Sequence, residues 1–152
     1  MKSTIKLGIL LLIGTTGNAF AANCTGDNSA LQHNAEAVLG GQRITAVGSG
    51  DDWEEDHCTN GTLYKVGTTE SPPKYPGADS VDPRRPIGSW SPAGDNITYD
   101  YGSGGSYTFE LWQTNCTGAT PDTCSGTYYF CNGSSEVARI TNGPSPIPDS
   151  CS

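Results

Sequence analysis

Apolar and polar residues alternate along several short segments of this chain, which is the pattern of half-buried β-strands. In residues 96–101, for example, Ile97, Tyr99 and Tyr101 fall on one face and the residues between them on the other. The segments that this pattern predicts as strands are 42–47, 53–58, 62–66, 87–91, 96–101, 106–113, 126–132 and 136–141.

Turn residues separate these segments and indicate how they connect. Asn60-Gly61 is a hairpin dipeptide, so residues 53–58 and 62–66 should pair as its two arms. Seven or eight short, sequential strands joined by tight turns predict an all-β antiparallel meander. We expect a small closed barrel, with a β-sandwich as the alternative.

One segment before the strands has helical period, with apolar residues at Leu31, Ala35, Val38 and Leu39. Asp27 or Asn28 would serve as its N-cap, and Gly40-Gly41 would end it. We therefore expect a helix of two or three turns, whose apolar stripe covers one open end of the sheet.

The N-terminal segment has the features of a secretory signal peptide. Two lysines precede the apolar run 7–13, and Ala19-Phe20-Ala21 provides a small-x-small cleavage site. We expect cleavage after Ala21, which leaves residues 22–152 as a single domain of a secreted or periplasmic bacterial protein. A second apolar stretch long enough to insert into a membrane is not present in the sequence.

Two proline-rich segments lack any periodic pattern. Residues 67–86 contain five prolines and should form a long loop, and residues 142–152 should form an irregular tail. Loops of this length are often functional, but a surface insertion without a function is as common.

The cysteine count predicts disulfides. All six cysteines follow the expected cleavage site, and an even number in a short exported chain indicates that every thiol is paired. Cys116 and Cys124 flank a short polar loop and are expected to pair; for the other four we favour Cys58–Cys131 and Cys24–Cys151.

The charge balance limits the kinds of partner. The chain has 8 Lys and Arg and 16 Asp and Glu; without the two lysines of the leader, 6 basic residues face 16 acidic ones, a net charge near −10. Nucleic acids and anionic membranes need a basic surface, so neither is an expected partner. A cationic protein is a more suitable partner for this surface.

A series of short motifs resembles those of small exported bacterial proteins of unknown function, which have lipocalin-like barrels. Trp53 and His57 precede a hairpin, Val81-Asp82-Pro83 lies in a loop, Gly88-Ser89-Trp90 forms a G-x-W strand, and Tyr128-Tyr129-Phe130-Cys131 ends the series. The resemblance covers roughly residues 36–141. It implies a lipocalin-like barrel and no particular activity.

The stretch 51–58, DDWEEDHC, concentrates the charge of the chain. Alternation places Trp53, Glu55 and His57 on one face and Asp56 and Cys58 on the other. Whichever face is buried, one carboxylate must be paired or hydrogen-bonded. A hydrogen bond between Glu55 and His57 would more often be structural than catalytic.

Oxygen-rich side chains in the same stretch leave a weak case for a Ca²⁺ site at Asp51, Asp52 and Glu54. The sequence has no nucleophile elbow and no histidine or cysteine pair at metal-binding spacing, so no catalytic residue and no other metal ligand is predicted.

These features together predict an exported binding protein without catalytic activity, whose ligand or protein partner they do not identify. The candidate binding residues are Trp53, Glu55, His57, Asp82 and Trp90, at a barrel mouth bordered by residues 51–57 and the 67–86 loop. A hydrolase that uses Glu55 with Asp82 or another carboxylate is one alternative. A structural envelope or surface protein without a pocket is the other.

Overall fold

The computed structural model describes residues 23–26, 30–48, 51–66, 84–148 and 151. The expected signal peptide, 1–21, lies outside the described residues. In chain order the elements are β1 (Leu31–Gln32), α1 (Ala35–Leu39), β2 (Gln42–Gly48), β3 (Asp51–His57), β4 (Thr62–Lys65), β5 (Arg85–Ala93), β6 (Asn96–Asp100), β7 (Ser106–Gln113), β8 (Tyr128–Asn132), β9 (Ser135–Ile140) and β10 (Ser145–Pro146).

Eight of these strands close into an antiparallel barrel. Each strand from β2 to β9 pairs with the next one in the chain, and β9 pairs back to β2 through Ala46 and Ile140. The predicted meander is therefore confirmed, and it is a barrel rather than a sandwich. The two shortest strands extend it, β1 along the end of β7 and β10 along the beginning of β2.

Local sequence accounts for the hairpin between β3 and β4. Gly61 has a φ of +84°, a conformation that favours glycine, and the Asn60 side chain accepts a hydrogen bond from the Thr62 amide at 2.9 Å. A second glycine permits the close packing of β5 against β6, because a Cβ at Gly88 would collide with the carbonyl oxygen of Asp100.

The helix is shorter than predicted. It begins after Asn34, whose side chain accepts a hydrogen bond from the Ala37 amide at 3.0 Å, and it ends at Gly40 after five helical residues. Leu31 lies in β1, because its backbone pairs with β7 instead of continuing the helix. The predicted N-caps, Asp27 and Asn28, lie outside the described residues.

The helix closes one end of the barrel, as expected. Ala35 and Leu39 are fully buried, and the helix packs where β2 begins and β5 ends. The core fills the barrel beside it; its largest fully buried apolar members are Leu39, Ile44, Leu63, Ile97, Leu111 and Ile140.

Three disulfides join all six cysteines. The predicted Cys116–Cys124 bond is confirmed, but Cys58–Cys131 and Cys24–Cys151 are wrong. The bonds are Cys24–Cys131 and Cys58–Cys151. The partners differ because β10 pairs with the beginning of β2 and so brings the C-terminal segment next to the end of β3.

Parts of the segments predicted as irregular are strands. Residues 85 and 86 belong to β5, while residues 67–83 of the expected loop lie outside the description, and the expected tail contains β10. Among the described residues, no helix is long and apolar enough to cross a membrane.

Candidate functional site

A pocket of about 430 Å³ lies at the end of the barrel opposite α1, which we call the open end. Here β3 begins, β6 and β8 finish, and the chain leaves β4 and enters β5. The pocket is lined by Trp53, Glu55, Tyr99, Tyr101, Tyr107, Phe109, Phe130, Asn132, Val137 and Ala138. It is thus predominantly aromatic, with one carboxylate among the described residues that line it.

Glu55 is the buried acidic group of this pocket. The residue is 5 % exposed, and its Oε1 accepts a hydrogen bond from the Tyr101 hydroxyl at 3.1 Å. Burial raises the pKa of Glu55 from 4.5 to about 7, against the opposing effect of hydrogen bonds from Tyr101 and Trp53. Glu55 therefore changes charge near neutral pH.

His57 shares the inward face of β3 with Glu55 but lies deeper in the barrel. It is fully buried, and its Nε2 lies 2.8 Å from the hydroxyl of Tyr99. Burial lowers its pKa to about 3, although the charge of Asp56 and a backbone hydrogen bond at Gln42 act in the opposite direction. His57 is therefore a neutral core residue at physiological pH.

Glu55 and His57, considered above as a possible pair, are not hydrogen-bonded to each other. The prediction that they share a face is confirmed, yet each is hydrogen-bonded to a different tyrosine, His57 to Tyr99 of β6 and Glu55 to Tyr101 immediately after β6. Their separation along the strand places one in the pocket and the other beneath it. An acid–base pair of these two residues is not present.

Trp90 also lies in the core and not in the pocket. Its indole Nε1 donates to the carbonyl oxygen of Cys58 at 2.8 Å, and its ring packs edge-on against His57 with ring centroids 5.2 Å apart. Of the five candidate binding residues, the structure places Trp53 and Glu55 in the pocket lining and His57 and Trp90 in the core. Asp82 lies outside the described residues.

Asp56, on the opposite face of β3, is fully buried as well. Its two carboxylate oxygens are paired with Arg43 at 2.6 Å and Arg84 at 2.7 Å, and the Arg84 guanidinium lies 4.0 Å from the centre of the Tyr64 ring. Each face of β3 therefore buries a carboxylate. The charge of Asp56 is paired with two arginines, whereas Glu55 accepts hydrogen bonds from tyrosine and tryptophan.

The structure describes the side chains of two of the three residues considered for Ca²⁺, Asp52 and Glu54. Asp52 is exposed, and Glu54 accepts a hydrogen bond from the Thr45 hydroxyl at 3.0 Å. The side chain of Asp51 is not described. Within the part of the chain that the structure covers, no group of three or more His, Cys, Asp or Glu residues is arranged to hold a metal ion.

The aromatic residues of β6, β7 and β8 complete the pocket, although sequence reasoning did not place them in the site. Alternation already put Tyr99 and Tyr101 on one face of β6, and Tyr107 and Phe109 on one face of β7. The missing information was which end of the barrel remains open, and this depends on the position of α1.

Comparisons of the chain with protein families, with curated proteins and with solved structures find no match. The function must therefore be argued from the pocket itself.

Proposed function

We propose that this protein is an exported, non-catalytic binding protein that holds a small ligand in the pocket at the open end of a lipocalin-like barrel. The observation that carries this proposal is an aromatic pocket of about 430 Å³ that contains one buried carboxyl group. Small-molecule sites have this character: mostly apolar walls and a few polar groups that orient the ligand.

The disulfides support the exported location. All six cysteines are paired, and structural disulfides persist in secreted or periplasmic proteins rather than in the cytosol. The signal-like N-terminus agrees with this assignment. The formal net charge of −8 makes a cationic protein the alternative partner, bound at the surface instead of in the pocket.

Titration with N-phenyl-1-naphthylamine, an uncharged fluorescent probe at neutral pH, tests small-ligand binding. We expect saturable binding of one probe per protein, which Asn132→Trp weakens because Asn132 lies exposed at the pocket rim. Arg139→Trp is the matched control, since this residue is exposed and does not line the pocket.

Native mass spectrometry of the purified protein gives the second measurement, because a co-purified ligand adds its mass to the intact chain. Absence of saturable probe binding, or equal weakening by both tryptophan variants, would reject the pocket as the binding site. Binding of a basic protein that both variants retain would favour the surface alternative.

The raised pKa of Glu55 also supports a second candidate, a hydrolase with Glu55 as its general acid or base. The described residues that line the pocket contribute no second carboxylate. Turnover of an ester or glycoside substrate that Glu55→Gln abolishes, and that Glu54→Gln on the opposite face of β3 retains, would establish the hydrolase in place of the binding protein.

A further inference from the structure

In the part of the chain that the structure describes, the carboxyl group of Glu55 has hydrogen-bond donors around it but no counter-charge. Among the described residues, the salt bridges on β3 go to Asp56 on the outer face, and none reaches Glu55. Lys65 lies opposite Glu55 in the sheet register but does not line the pocket. The neutral donors around Glu55 satisfy its oxygens but supply no positive charge, so an ionised Glu55 would be stabilised by a cation that enters the pocket.

The aromatic wall beside Glu55 suits the same kind of ligand. Tyr99 and Tyr101 are stacked with their ring centroids 6.1 Å apart, and Phe109 and Phe130 each lie 6.1 Å from Tyr99. The negative faces of aromatic rings attract cations, most strongly where water is excluded. An aromatic wall next to a carboxylate is therefore complementary to an ammonium group with an apolar body.

Resting on the proposed function, we infer that the ligand of this pocket is a small organic amine, with its ammonium group beside Glu55 and its apolar body against the rings of β6, β7 and β8. The pocket volume, about 430 Å³, is near the lower end of the usual range for small-molecule sites, roughly 300–1,000 Å³. A ligand with one or two rings is thus more suitable than a long chain. The acidic surface of the protein adds long-range attraction for a cation.

The protonation state of Glu55 should control this binding. Its pKa of about 7 makes it mainly ionised at pH 8 and mainly protonated at pH 5.5. The other titratable groups around it within the described residues are His57 on its own strand, Lys65 on β4, Tyr99 on β6, Tyr101 immediately after β6 and Tyr107 on β7. His57 remains neutral over this range because its pKa is about 3, and burial raises the pKa values of Tyr99 and Tyr101 above their ordinary value.

The test compares three probes of similar shape by isothermal titration calorimetry: 2-phenylethylamine, the uncharged 2-phenylethanol and the anionic 3-phenylpropionate. At pH 8 we expect the amine to bind at least ten-fold more tightly than the alcohol. At pH 5.5, where the amine is still protonated, its affinity should fall by about ten- to thirty-fold while that of the alcohol stays constant.

Glu55→Gln should weaken amine binding at pH 8 by about ten-fold or more, and Glu54→Gln on the outer face should not. Circular dichroism and urea unfolding establish that each variant is folded, and the comparison of probes at two pH values needs no variant.

Equal affinity for the amine and the alcohol, tighter binding of the acid, or amine binding without any pH dependence would overturn the inference. In each of these cases N-phenyl-1-naphthylamine still occupies the pocket, so the proposed function stands with a different ligand. If that uncharged probe and all three ring compounds fail to bind, both the inference and the proposed function are wrong.

Discussion

Replacing Glu55 with glutamine should stabilise the protein at alkaline pH. In the folded state burial raises the pKa of Glu55 from 4.5 to about 7, so the native protein retains this proton over a range in which the unfolded chain loses it. The contribution of Glu55 to stability is therefore fully present below pH 4.5 and is lost as the pH rises to 7. The pKa difference corresponds to about 3 kcal/mol.

Urea unfolding of the wild type and of Glu55→Gln at pH 4.5, 6, 7 and 8.5 measures this effect. The quantity to follow is the difference between the two proteins, because His57 titrates in the opposite sense and both proteins contain it. Glutamine can still accept the hydrogen bond of Tyr101, so the packing is retained.

We expect the free energy of unfolding of Glu55→Gln to rise relative to the wild type by about 3 kcal/mol between pH 4.5 and pH 8.5. The matched control, Glu54→Gln, changes a half-buried carboxylate on the other face of the same strand. If the free energies of unfolding of the wild type and Glu55→Gln differ by an amount that stays constant within about 0.5 kcal/mol across this pH range, the assignment of a raised pKa to Glu55 is refuted.

Three further predictions follow from the strands around the pocket. His57 has a pKa lowered from 6.5 to about 3, so its contribution to the free energy of unfolding is complete above pH 6.5; in urea unfolding at several pH values, the wild type should lose about 5 kcal/mol more than His57→Gln between pH 6.5 and pH 3, and an equal loss in both proteins would contradict a buried neutral His57. Asp56→Asn leaves the buried Arg43 and the half-buried Arg84 without this carboxylate and should destabilise the protein by about 3–5 kcal/mol in urea unfolding; a loss below 1 kcal/mol would contradict an ion triad around a buried Asp56. Peptide mapping under non-reducing conditions should recover Cys24 linked to Cys131, and the recovery of Cys58 linked to that same residue would contradict the fold at β8.

Sequence reasoning succeeds where the information is local. The order of the hairpins follows from alternation and turn residues, and the period of two places Trp53, Glu55 and His57 on one face, although it does not say that this face points inward. We also predicted that a carboxylate near the interior is paired or hydrogen-bonded. The structure shows this for two carboxylates, Glu55 and Asp56.

Sequence reasoning fails where distant segments meet. Leu31 continues a helical pattern, but the free edge of β7 offers its backbone a strand partner. The partner of Cys58 depends on β10, a strand of two residues that has no recognisable pattern. Depth along the barrel separates Glu55 from His57, and no local pattern gives the depth of a residue inside a closed barrel.

Closure of the barrel between β2 and β9 also has a kinetic consequence. The pairing joins Ala46 to Ile140, which lie in the first and the last strand of the barrel along the chain, so the ring is completed by contacts of high sequence separation. The Cys24–Cys131 and Cys58–Cys151 bonds span 107 and 93 residues and hold the same distant parts of the chain together. Oxidation thus lowers the loop-closure entropy of the β2–β9 pairing, and folding of the barrel is coupled to the oxidation of its thiols.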